Sequence, residues 1–195
     1  METVMVQYSM PAQIIDAIKD ENEELIRELT RSSPEQITEF TPFGGQTWLG
    51  YASLLGKLGS VKALVGLGLD INVGDNRENI LPICSAADGG HAQVVKYLLS
   101  KGSSLDVSKS VRNPLFAAIV GRSVEIVELL LAAGIDSETR CNSETMIDLD
   151  ATAFALLRGE EDCAKAIAMW NSKGNQEVAK LLLAEADNIA EKNAY

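Results

Sequence analysis

The chain has 195 residues, 46% of them hydrophobic but only 5% aromatic, with a formal net charge of −11. That length supports one domain or one repeat array with a sizeable core, made mostly of Leu, Ala, Val and Ile. The acidity argues against a binder of phosphate backbones, which needs clustered Lys and Arg, so no nucleic-acid partner is expected.

The first residues, METVMVQYSMPAQ, carry Glu2 and lack a basic segment followed by an apolar one, so no signal peptide is expected. No run of 18 apolar residues offers a membrane span. Residues 11–31 predict two helices with Ile14, Ile15, Ile18, Leu25, Ile26 and Leu29 facing inward, and Ser32, Ser33 and Pro34 then break the pattern. Cys84, Cys141 and Cys163 are odd in number and widely spaced, which suits a reducing cytoplasm better than a disulfide framework.

Three segments then align: TWLGYASLLGKLGSVKALVGLG from Thr47, LPICSAADGGHAQVVKYLLSKG from Leu81 and NPLFAAIVGRSVEIVELLLAAG from Asn113. Each predicts a small-residue helix, a second helix ending in paired aliphatics, and a closing glycine (Gly68, Gly102, Gly134) fit for a left-handed C-cap. The starts lie 34 and then 32 residues apart. Short extended runs follow, LDIN at Leu69 and SLDV at Ser104, then polar turns. TMIDLDATAFALLRG from Thr145 starts a fourth unit on the same spacing. EEDCAKAIAMWNSK supplies roughly one extra helix, and GNQEVAKLLL from Gly174 is similar to GHAQVVKYLL from Gly90. The segment from 140 onward reads as a degenerate repeat with either an inserted helix or a helical cap.

These motifs resemble the ankyrin-repeat family, whose unit of about 33 residues carries TPLHxA. Gly45-Gln46-Thr47, Leu81-Pro82-Ile83 and Asn113-Pro114-Leu115 stand where the family has GxTPL, and Asp70-Ile71-Asn72 matches its strand. The family's histidine is replaced by Gly50, Cys84 and Phe116, so the histidine bonds that recur in the family are missing and lower stability is expected. The resemblance implies one all-α domain over 1–195, a solenoid of stacked helix pairs with hairpin-like loops. Its parts are cap helices at 11–42, repeats at 43–75, 76–107 and 108–139, and a degenerate repeat plus helical cap at 140–195.

One such repeat cannot bury its own apolar face, so stacking completes the core and the end units stay polar. The charge follows: residues 1–42 carry −6, residues 43–134 carry +1 and residues 135–195 carry −6. The bland account is solvated caps, the sharper one an acidic end that steers a basic partner. The resemblance further implies a concave binding face made of hairpin tips and first helices. Its positions here are Phe43, Gln46, Arg77, Glu78, Asp88, Lys109, Arg112, Val120, Cys141, Asn142 and Glu144. Arg77, Lys109 and Arg112 are expected to form a basic row along successive tips. Stand-alone arrays of this size look like bacterial immunity proteins that neutralise a toxin, and a regulatory adaptor or scaffold is the sibling alternative. A monomer with a protein partner is expected.

Catalytic, metal and cofactor chemistry is not expected. His91 is the lone histidine and reads as a residue capping or bonding local backbone. Zinc needs about four close ligands, which scattered cysteines do not supply. Cys84 reads as buried and inert, Cys141 as an exposed tip residue. Asp148 and Asp150, two apart on a helix, would diverge. Glu160, Glu161 and Asp162 suit a helix N-terminus and lack EF-hand spacing. The pairs Gly44-Gly45 and Gly89-Gly90 lack a phosphate-loop context. Trp48, Tyr51, Phe154 and Trp170 read as packing residues. An enzyme or metal protein with an unrecognised site remains the rival class.

Overall fold

The computed structural model describes residues 10–34, 40–41, 44–143 and 146–194. Among them the chain is all-helical. An N-terminal pair, α1 (Met10–Lys19) and α2 (Glu23–Ser32), precedes four further pairs: α3 (Trp48–Leu54) with α4 (Leu58–Gly66), α5 (Pro82–Asp88) with α6 (Ala92–Ser100), α7 (Pro114–Val120) with α8 (Val124–Ala132), and α9 (Ala151–Leu157) with α10 (Glu161–Asn171). A single long helix, α11 (Gln176–Asn193), closes the series.

The first helices are seven residues each, too short to persist alone. Local chemistry starts them and stacking keeps them. The side chains of Thr47, Asn113 and Asp150 accept backbone N–H bonds as N-caps, and Pro82 and Pro114 pre-set the first turn. First helices then pack serially, α3 on α5, α5 on α7, α7 on α9, while α2, α4, α6, α8 and α10 line up behind them. The interior this creates is one continuous cluster running from Ile14 to Ala186. Each fully buried Leu or Ile in it, such as Leu49, Ile83, Leu115 and Ile119, contributes about 2 kcal/mol.

Polar bonds tie each pair to the next. The buried Ser60 hydroxyl donates to the Ile18 carbonyl at 2.9 Å, seating the N-terminal pair. Asn72 accepts from Ser104 N–H at 2.8 Å. His91 sits at the N-cap position of α6 but makes no capping bond there. Its Nε2 lies 2.9 Å from the Leu54 carbonyl of the preceding pair, so Nε2 carries the proton and donates. The expected local bond is therefore a bond between repeats. The ring fills space that side chains on Gly56 and Gly89 would claim, since a Cβ on Gly56 would lie 2.4 Å from Nδ1. His91→Ala should lose about 2 kcal/mol in denaturant unfolding, from the lost bond and the void together. A midpoint equal to wild type would remove His91 from the inter-repeat framework.

Two expectations change. The run at Leu69 passes into a turn at Ile71 and Asn72 rather than a strand, and the run at Ser104 has no regular secondary structure. Asp70 accepts from Asn72 N–H and Asp106 from Ser108 N–H, both at 2.8 Å, so a local side-chain bond closes the backbone where a paired strand would continue. Antiparallel pairing among the described residues is confined to single bridges, Phe40 with Thr47 and Cys141 with Leu149. The fourth pair does not keep the 32-residue spacing. Thr145 lies outside the described residues, and α9 starts at Ala151 behind the Asp150 cap, 37 positions after Asn113. The extra residues belong to a loop in which Asp148, at φ 58°, binds Arg140 rather than sharing a helix with Asp150. At the other end of the segment, GNQEVAKLLL leads into α11, which packs across both α9 and α10 and buries Ala179, Ala186 and Ala190.

Candidate protein-binding face

Along the first helices α5, α7 and α9, and under the tips that precede them, runs a groove of about 340 Å³. Its walls are set by turn chemistry. The short 3-10 turn Ser110–Arg112 projects Val111, which is 49% exposed, and the end of α7 projects Val120, 39% exposed. Between them lies Phe116, buried and stacked on Phe154 at 4.3 Å between centroids with the rings near parallel. Ile80 and Met146 complete the apolar lining, and the exposed Asp88 carboxylate sits at the lip. The arrangement offers apolar contact area with little to transfer a proton or group.

Of the eleven residues expected on this face, Gln46, Asp88 and Val120 line the groove. Phe43 and Glu144 lie outside the described residues. Arg77 is an exposed tip residue, with Asp75 accepting its backbone N–H. Two of the three cations expected in a basic row have partners within the array. Lys109 approaches Glu78 at 3.5 Å, and Arg112 Nε donates to the Glu78 carbonyl at 2.6 Å while its NH1 reaches Asp106 at 3.7 Å. Arg112 thus ties one tip to the next, while the Lys109 pair stays solvent-exposed and weak. Asn142 is exposed but fastens its own loop by accepting from Asp148 N–H. Cys141 is a correction of a different kind: it is buried at 5% exposure, because its backbone bridges to Leu149 and turns the side chain into the core.

The thiols are poorly suited to reaction. Burial pushes the Cys84 thiol up to about 12, and its Sγ donates to the Arg112 carbonyl at 3.0 Å. Cys84 thus supplies one cross-repeat bond at a position where the family carries histidine. Burial also raises Cys141, and raises Cys163 with help from Glu160 and Asp162. Among the described residues no group of three or more His, Cys, Asp or Glu could hold a metal ion, and no helix is long and apolar enough to cross a membrane.

Sequence reasoning missed Val111, Phe116 and Met146 as groove residues. The signal for Phe116 was present, since a large aromatic in place of a polar histidine changes what the first helix presents. Val111 and Met146 depend on loop conformations that carry no periodicity. Trp48, Tyr51 and Phe154 are packing residues as expected, whereas Trp170 is 51% exposed.

Residues 51–141 match the family described as ankyrin repeats (3 copies). The chain is 33% identical over 114 residues to zygote-specific protein 3 of Chlamydomonas reinhardtii, covering 58% of this chain and 29% of that protein. It is 27% identical over 169 residues to ankyrin repeat and KH domain-containing protein mask-1 of Caenorhabditis elegans, covering 80% of this chain and 6% of that protein. The chain thus spans less than a third of the length of either curated relative.

Proposed function

We propose, from the premise that this chain belongs to the ankyrin-repeat family, that it holds a protein partner in the groove along α5, α7 and α9 and acts by occupying that partner's surface. An ankyrin array is a protein–protein interaction module. The observation that carries the finer reading is the exposure of Val111 and Val120 above a Phe116 floor. Such an apolar depression with a polar rim has the anatomy of an interface centre. The adaptor or scaffold role fits this groove directly. Neutralising a toxin draws no support from either named relative, and occlusion of a regulatory partner is the reading carried forward.

The test is a paired substitution. Val111→Glu with Val120→Glu puts two charges where apolar contact is needed, at positions exposed enough to leave the core intact. Quantitative affinity purification from the native cell should recover the specific partner at least about tenfold less well with the double variant. Thermal unfolding should shift by only a few degrees. Equal recovery of every partner by both proteins would overturn the groove as the binding face.

A further inference from the structure

A second recess opens where the C-terminal ends of α8 and α10 lie side by side, and it shares no lining residue with the groove. Its volume is about 640 Å³, and its apolar part is Trp170, 51% exposed, with Met169, 37% exposed, over the buried Ile135. A half-exposed tryptophan beside an exposed methionine is a costly surface for a chain to leave uncovered, and tryptophan is the residue most enriched at binding hot spots.

We infer that this recess is a docking site for a protein segment bearing an arginine or lysine, whose cation lies over the Trp170 ring between the Asp136 and Glu138 carboxylates. The occupant follows from charge. Asp136 and Glu138 line the recess, and Lys173 is the single cation among its lining residues. A cation over an indole face gains both from the ring and from loss of competing water. Residues 135–195 carry −6 and the whole chain −11, which disfavours a second copy of this acidic chain as the occupant.

The recess is preformed. The Ser137 hydroxyl donates to Asn171 Oδ1 at 2.7 Å, pinning the loop after α8 to the end of α10. Asp136 accepts from the Thr139 hydroxyl at 2.6 Å and from the backbone N–H of Glu138 at 2.9 Å, which hold its carboxyl below the usual range and keep it charged. Asp136 is therefore a fixed charge, and the exposed Glu138 carboxylate is the group free to meet a guanidinium directly.

The experiment is a selection of random twelve-residue displayed peptides on the whole chain, with the Trp170→Ala protein as counter-selecting bait. Recovered peptides should be enriched in Arg or Lys. Their affinity, measured on synthetic copies, should fall about tenfold with Trp170→Ala and about threefold with Glu138→Gln. It should be unchanged by the Val111→Glu, Val120→Glu pair, which separates this site from the groove. Thermal unfolding of Trp170→Ala should match wild type, because the side chain is largely outside the core. Apolar or acidic peptides without a basic residue, or no binder that depends on Trp170, would overturn the inference.

Discussion

Gly121→Ala is expected to cost the array about 3 kcal/mol, a large loss for the addition of one methyl group. A Cβ at Gly121 would lie 2.3 Å from the Ala87 carbonyl oxygen and 2.7 Å from that of Asp88. Both are backbone atoms of the preceding pair, so no rotamer can relieve the clash. The φ of Gly121 is −71°, ordinary for any residue, and the cost is therefore steric rather than conformational. The midpoint should fall by roughly 6–12 °C for a chain of this size. Two controls fix the interpretation. Gly66 lies in α4 with no atom within 4 Å of its would-be Cβ, so Gly66→Ala should gain about 0.5 kcal/mol from helix propensity. Gly134 has the same open space but a φ of 86°, and Gly134→Ala should lose about 1 kcal/mol to the left-handed backbone alone. Denaturant unfolding should rank Gly66→Ala above wild type, then Gly134→Ala, then Gly121→Ala. If Gly121→Ala unfolded with wild type, the loops after α5 and α7 could not be in backbone contact and the serial stack would be misplaced.

That ranking shows why the array was legible and its face was not. The closing glycines and paired aliphatics recur because every pair must solve the same packing problem, and recurrence is visible in a sequence. Arg122 makes the point from the other side. It sits at φ 57° where the neighbouring pairs use Gly56, Gly90 and Gly159, and its Nε meets Glu160 of the next pair at 2.9 Å. The position was readable, the substitution was not, because its reward lies 38 residues on. The tips failed more plainly. Counting Lys109 and Arg112 as free cations ignored Glu78 and Asp106, which reach them only once two loops are stacked. Cys141 looked like a tip residue until the single bridge to Leu149 turned it inward. Trp170 reads as a packing residue because aromatics usually pack, yet it stands half-exposed at the end of α10. What repeats can be read from one strand of text; what depends on the meeting of two loops cannot.

The stacked pair under the groove carries the second large effect. Phe116→Ala and Phe154→Ala each remove a buried ring, at 3% and 8% exposure, and each should cost about 3 kcal/mol. The double variant should cost about 1 kcal/mol less than the sum, because each ring's contact with the other is lost only once. A double-mutant cycle in denaturant measures that coupling. Zero coupling would mean that the near-parallel rings contribute only through their separate burial. The rings also join two levels of the molecule. Phe116 belongs to α7 and Phe154 to α9, so the same contact that locks the third pair to the fourth forms the floor on which the exposed valines stand. Stability and the apolar groove are therefore not independent here. Phe116→Ala should weaken partner recovery as well as stability, whereas Gly121→Ala, at temperatures where it stays folded, should leave recovery largely intact. That divergence separates a residue that shapes the groove from one that only holds the array together.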